Sequence, residues 1–272
     1  MTLLETPETT FAAFSALHVA GNPLILVNAW DTASAVIIET AGALAIGTTS
    51  AGVAWSHGYS DGNVLPVDEL LALTKSIALA IGVPLTVDLE GGYSTSTTEI
   101  VQLAAHVLEF GAVGINLEDS WNGQLLNAGS QASRIKRLNA EVPGLFINAR
   151  IDTFLIGNES PSDKLKKTIE RAKEFIDAGA NGIFVPGLGD LGAITELVDS
   201  IEAPVNVMVG DGSPSVHSLS ETGVSRISVG MALAQTVYQQ TFASASRIFR
   251  DGQFDVLGDP IDYTRMNNYF AG

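Results

Sequence analysis

Short apolar runs alternate with longer segments of helical period along the whole chain. Nearly continuous runs of apolar and β-branched residues occupy 24–28, 44–48, 85–88, 113–117, 145–149, 182–185, 205–209 and 226–229. Runs of that length without polar alternation read as strands covered on both faces, the habit of parallel sheets. Between them the pattern predicts helices at 34–41, 67–80, 96–110, 162–178, 191–200, 215–221 and 230–249, and a weaker loop and helix over 121–140. An opening helix at 7–19 is expected to lie across one end of the sheet, with Thr6 as N-cap, Pro7 at the first helical position and Glu8 favouring the dipole. The tripeptides Ala41-Gly42-Ala43, Phe110-Gly111-Ala112 and Ala178-Gly179-Ala180 each put a glycine where a helix must end in left-handed backbone before the next strand.

Eight strands, each followed by a helix and with no linker between them, predict one (β/α)8 TIM barrel over residues 1–272, in which residues from about 230 onward form a helical extension. A doubly wound sheet would need a glycine-rich phosphate turn after its first strand, and that position reads Ala29-Trp30-Asp31 instead. The last long helix carries no charge before Arg247. A helix without a charged face is usually buried. With little chain left to cover it, we expect it to pack against another subunit; the alternative is coverage by the tail 251–272.

Composition limits the partners. Charged residues make up 16% and apolar residues 46%, and 14 Lys+Arg stand against 30 Asp+Glu for a net charge of −16. No basic run exists, which argues against nucleic acid and anionic membrane. There are no cysteines, hence no disulfides, thiolate nucleophile or thiolate metal site. The start Met1–Thr6 lacks a basic leader, and the uncharged runs 40–60 and 227–246 are not apolar enough for a span, so a soluble cytoplasmic protein is expected.

Candidate chemistry gathers at the predicted carboxyl ends of the strands, where ligands bind in parallel α/β folds. The central stretch is Leu85-Thr-Val-Asp-Leu-Glu-Gly-Gly-Tyr93, which places Asp88 and Glu90 at a dry strand mouth. Paired carboxylates there repel one another and lose hydration, costs that a divalent cation offsets. Glu118, and Asp61 from the loop after the second strand, can reach the same mouth. An oxygen-rich set without imidazole favours Mg2+ or Mn2+ over zinc. Magnesium keeps several waters, so Asp88 alone need bind it directly. Arg150 can pair with a substrate carboxylate, and the turn Thr49-Ser50-Ala51-Gly52 can aim backbone N–H groups at an anion. Asn28 and Trp30 stand at the end of the first strand, and Asn206 can point into the mouth from the seventh. Trp55 and Trp121 are expected to flank it. His18, His57, His106 and His217 lack ligand spacing and read as surface or packing residues. Each polar group also has a plain structural alternative, such as an Arg150 that only bridges Glu118 or Asp152.

Five motifs stand in order on these strands: Gly47-Thr-Thr-Ser-Ala-Gly52, Asp61, Val87-Asp-Leu-Glu-Gly-Gly-Tyr93, Asn116-Leu-Glu-Asp119 and Asn148-Ala-Arg-Ile-Asp152. In this the chain resembles the isocitrate lyase / phosphoenolpyruvate mutase superfamily. The resemblance implies a Mg2+-binding α/β barrel acting on small 2-oxo or 2-hydroxy acids, with C–C or P–C bonds made or broken next to an enolate. It implies that Asp88 is the direct metal ligand, with Asp61, Glu90 and Glu118 acting through water. The backbone around Ser50 and Ala51 would hold the substrate carboxylate, and Arg150 would bind the carboxylate or the enolate oxygen. It further implies a homo-oligomer, dimer or tetramer, that exchanges its C-terminal helix.

The departures bear on the reaction. Where isocitrate and methylisocitrate lyases carry a Lys-Cys-Gly-His segment, this chain reads Ser120-Trp-Asn-Gly-Gln-Leu-Leu-Asn-Ala-Gly-Ser130, without cysteine, lysine or histidine. Asn122 or Asn127 would have to stand in for the lysine of the mutase branches, and Asp88-Leu-Glu90 replaces the usual Asp-x-Asp. The leading expectation is a Mg2+-dependent lyase that decarboxylates or retro-cleaves a small 2-oxo or 2-hydroxy dicarboxylate. The alternatives are phosphoenolpyruvate or phosphonopyruvate mutase or hydrolase chemistry, and a 2-oxo-acid-binding protein with little catalysis.

Overall fold

Parallel strand pairing closes the chain on itself. The computed structural model describes residues 7–271, so the expected cap at Thr6 lies outside the described residues. Strand β1 has two halves, Leu24–Leu26 and Asn28–Ala29, parted at Val27. The others are β2 (Ile46–Thr48), β3 (Leu85–Asp88), β4 (Gly114–Glu118), β5 (Phe146–Arg150), β6 (Gly182–Val185), β7 (Val205–Met208) and β8 (Arg226–Ser228). Each pairs in parallel with the next; the first half of β1 pairs with β8 and its second half with β2, so the two ends of the sheet meet within one strand. This is a (β/α)8 barrel, as the rhythm of the sequence predicts.

The helices lie outside in chain order: α1 (Pro7–Ala16), α2 (Thr32–Thr40), α3 (Ser50–Ser56), α4 (Val67–Ala80), α5 (Thr97–Glu109), α6 (Ala128–Glu141), α7 (Pro161–Asp177), α8 (Leu191–Ser200), α9 (Val216–Glu221), α10 (Ala232–Asp251) and α11 (Tyr263–Asn268). The glycines before β2, β4 and β6 take up the left-handed backbone expected of them, with φ of 109°, 98° and 103° at Gly42, Gly111 and Gly179. Two strands extend one residue further than their apolar runs, through Glu118 and Arg150. That extension brings both charged residues to the mouth.

The floor of the barrel is aromatic. Phe14 of α1 meets Phe146 edge-on at 5.2 Å and packs with Leu24, Leu26, Ala45 and Val113. His18 stacks on Phe146 at 4.6 Å and bonds the Phe14 carbonyl at 2.9 Å. Above this layer the interior is polar: Thr86, Asn116, Asn148, Asn206, Arg226 and Ser228 are all buried. Gly114 makes room for it, since a Cβ there would stand 3.0 Å from the Thr86 hydroxyl and 3.1 Å from the Phe14 ring.

Three elements depart from the sequence reading. The turn at 49–52 is the start of α3, residues 120–125 form a small antiparallel hairpin, and α11 falls within the tail. The tail meets helix α10 only in part, with Arg247 paired to Asp255 at 2.7 Å: Ala234 is the helix's one fully buried residue, and Phe242 and Phe249 are 69% and 87% exposed. Phe254, Leu257, Ile261 and Tyr263 of the tail are exposed as well. Among the described residues, no helix is long and apolar enough to cross a membrane.

Candidate active site

The carboxyl ends of the strands surround a cavity of about 210 Å3. One side is polar, with Asn28, Thr48, Thr49, Ser50, Ala51, Asp61, Asp88, Asn116, Arg150 and Ser228; the other is formed by Leu155, Phe184, Pro186, Met208 and Met231. Asp88 ends β3, and its backbone N–H donates to the Thr48 hydroxyl at 2.9 Å. Asn28 locks the ring at the split in β1: its amide donates to the Thr48 carbonyl at 2.8 Å and accepts from Gly230 N–H at 2.8 Å. Thr49 is the N-cap of α3 and gives no side-chain cap, so the first backbone N–H groups of the helix remain available at the cavity rim. Asp61 and Ser50 line the cavity beside them.

Glu90 is held by the loop that carries Asp61. It does not line the cavity. It accepts from the Tyr93 hydroxyl at 2.7 Å and from the Asn63 backbone N–H, while the Asn63 side-chain oxygen accepts from Gly91 and Tyr93 N–H at 3.1 and 3.0 Å. Asn63, Glu90 and Tyr93 all adopt positive φ, 61°, 49° and 56°. Unfavourable backbone at three non-glycine residues persists only where the surroundings enforce it. The clasp ties the loop carrying Asp61 to the end of β3.

Arg150 is held on two sides, by Glu118 at 3.0 Å and by Asp152 at 2.7 and 3.2 Å, and still lines the cavity. Both halves of the sequence reading therefore meet in one residue: it is a bridge and it faces the cavity. Glu118 stands behind it, outside the lining. Asp119, next in sequence, turns away and pairs with buried Arg171 of α7 at 2.6 Å. That pair and the Ser120–Asp152 hydrogen bond at 2.8 Å anchor the 120–125 hairpin beside the mouth.

Several predicted residues lie elsewhere. Trp30 is buried under α10, 6.4 Å from the Tyr238 ring, and does not line the cavity. Trp55 shares that aromatic cluster, whereas the Trp121 ring covers Gly91. Asn206 sits below the cavity, accepting from the Ser228 hydroxyl at 3.0 Å. The sequence reading missed Asn116, which the two-residue period from Glu118 signals, and the apolar wall, which it does not.

Asp61, Glu90 and Glu118 hold protons more tightly than free carboxylates do. Burial, and then the charge of Asp88, raise Asp61. Burial pushes Glu90 up to about 7 against the Tyr93 hydrogen bond, with Asp88 and Asp61 adding to the rise. Burial pushes Glu118 up to about 8, outweighing Arg150, with Asp152 and Asp88 adding to it. A cation among these groups would relieve the repulsion. Among the described residues no three His, Cys, Asp or Glu side chains are grouped closely enough to ligate an ion together. The donors thus fit a hard cation held by one or two carboxylates and otherwise by water, the habit of Mg2+, and do not fit an all-protein cage.

The chain is 35% identical to an uncharacterised protein of Mycobacterium tuberculosis over 241 residues, 89% of this chain and 90% of the relative. It is 27% identical to the 2-methylisocitrate lyase of Escherichia coli over 205 residues, 71% of this chain and 67% of the relative. Among solved structures, a Burkholderia cenocepacia protein assigned as a lyase/mutase superposes with TM-score 0.89 at 30% identity, covering 98% of this chain and 97% of that one. Another from the same organism, assigned as a phosphonomutase, gives TM-score 0.82 at 35% identity, covering 89% and 99%. The profile of the phosphoenolpyruvate phosphomutase family matches residues 14–249, and the chain belongs to that family, within the isocitrate lyase / phosphoenolpyruvate mutase superfamily.

Proposed function

We propose that the protein is a Mg2+-dependent lyase that breaks a C–C bond of a small 2-oxo or 2-hydroxy acid through a pyruvate-like enolate. The observation that carries this reading is the meeting of Asp61, Asp88 and Arg150 around one small cavity at the strand ends. Asp88, with Asp61 through water, would hold the ion, and Mg2+ when bound supplies Lewis-acid charge at the 2-oxo group. Arg150, pinned by Glu118 and Asp152, offers its guanidinium to the substrate carboxylate or the developing enolate oxygen. The α3 backbone and Ser50 take the other end of the carboxylate. Asp61, whose proton affinity is raised by burial and by Asp88, is the cavity group suited to accept and return a proton. Among the described residues no cysteine, lysine or histidine lines the cavity, so decarboxylation, which needs an electron sink more than a loop acid, suits it best.

The test is thermal denaturation with a panel of 2-oxo acids, 2-hydroxy acids and phosphonates, each with Mg2+ and with EDTA. A ligand at a hundred times its dissociation constant adds about 2.7 kcal/mol of stability. A shift that requires Mg2+ supports the reading; no shift with any compound removes it. P–C bond chemistry is the second reading, favoured by the likeness to the structure assigned as a phosphonomutase. Turnover of phosphonopyruvate followed by 31P NMR selects it. The exposed aromatic residues of α10 also support a homo-oligomer joined through that helix, which light scattering of the purified protein tests.

A further inference from the structure

Three arginines lie in or near the site, and two of them are neutralised: Arg150 by Glu118 and Asp152, Arg171 by Asp119. Arg226 is not. It stands at the start of β8, 1% exposed, in register between Leu24 of β1 and Asn206 of β7. Its Nε donates to the Ser228 hydroxyl at 3.3 Å, whereas Nη1 and Nη2 have no partner. No carboxylate lies within salt-bridge distance among the described residues, and Asp88 is the acid whose charge reaches it. The Asn206 side-chain N–H group and the Thr86 hydroxyl, also facing the interior, are unpartnered too.

A buried guanidinium without an acid is destabilising, and an apolar residue of similar volume would serve the core better. Its position offers a use. Substrates of the class proposed above are anions, and they approach a chain of net charge −16 through a cavity lined by Asp61 and Asp88. Arg150 brings little net charge, because two carboxylates already bind it. We propose that Arg226 is a positioning residue for the anion: it supplies, from inside the barrel, the positive potential that draws a small carboxylate onto the cavity floor beside Asp88. It touches neither substrate nor metal, and acts through a dry interior in which charge is poorly screened. The same potential opposes a cation at Asp88, so the residue shifts the site from holding metal alone towards holding metal with an anion. This inference rests on the proposed Mg2+ and 2-oxo-acid site.

The experiment compares wild type with Arg226→Met and Arg226→Lys, using Mn2+ alone as the cation probe and oxalate with Mg2+ as the anion probe, by calorimetry, with melting temperatures alongside. Arg226→Met is expected to melt at or above the wild-type temperature, to bind oxalate roughly tenfold more weakly and to bind Mn2+ roughly tenfold more tightly. Arg226→Lys should restore both affinities towards wild type. A merely structural role would weaken both probes together. Parallel weakening, or a preserved fold with unchanged affinities, overturns the proposal, and so does a large fall in melting temperature, because the charge would then be holding the core. A wild-type protein that binds neither probe removes the proposed function as well, whereas one that binds both while the variants behave alike removes only the role of Arg226.

Discussion

The two ends of the barrel solve opposite problems with the same strands. At the floor, Phe14, His18 and Phe146 pack ring against ring, and the fold holds a histidine neutral to keep the layer dry. At the mouth, which β5 reaches four residues after Phe146, the side chains are acids, amides and a pinned arginine around open space. Stability is concentrated at the amino ends of the strands, and the carboxyl ends are left to carry charge that a well-packed core would reject. Polar residues at strand ends therefore have to be judged by which end they occupy.

The comparison makes four predictions. Phe146→Ala empties the floor and should cost about 3–5 kcal/mol in chemical denaturation while the folded fraction keeps its ligand affinity. A loss of affinity in folded protein would mean that the two ends are coupled. Asp88→Ala is expected to do the reverse, removing Mg2+-dependent binding of 2-oxo acids by about a hundredfold or more with the melting temperature unchanged or raised, because a repelling carboxylate is gone. Binding that survives in calorimetry would show that the ion is held elsewhere. Arg150→Ala crosses the division. It removes the anion contact, with roughly ten- to hundredfold weaker binding, and leaves Glu118 and Asp152 without their cation, so it should also lower stability.

The smallest effect lies with pH at the floor. Burial first, and then the charge of Arg226, lower His18 from 6.5 to about 4. A base held neutral by the fold contributes stability that is complete above the unfolded pKa and is lost as pH falls from there towards the folded value. Allowing for its partial exposure, His18→Phe should spare about 1–2 kcal/mol at pH 4.5 and change little at pH 7.5. An unchanged slope of stability between pH 6.5 and 4 would show that the stack does not depress this histidine.

The barrel was legible in the sequence because strands buried on both faces are written as continuous apolar runs, and each run recurs in the structure within a residue or two at its ends. Helix α3 was not, since Ser50-Ala-Gly-Val-Ala-Trp-Ser56 has too few large apolar side chains to carry a period. The hairpin at 120–125 did leave a signal: Asn122-Gly123 have φ of 50° and 73°, the two positive values of a type I′ turn. In the site, motif order led to Asp88, Asp61, Arg150 and the 49–51 backbone, all of which line the cavity. It carried no sign of the contact that holds Glu90 outside the lining, because the partner, Asn63, lies 27 residues away in positive-φ backbone. Nothing local distinguishes Arg226 from an arginine that begins an exposed strand; its burial follows from barrel closure.

Closure itself has a consequence for synthesis. One strand serves both edges of the sheet, and Asn28 joins them through a hydrogen bond to Gly230, 202 residues away. As the polypeptide leaves the ribosome, β1 finds β2 at once, but its first half waits for β8. Until then the nascent sheet has two unpaired edges, the arrangement most open to pairing with another chain. The ring becomes safe only when nearly all of the barrel has been made, so a pause in translation before β8 (Arg226–Ser228) has left the ribosome would be more hazardous than the same pause afterwards.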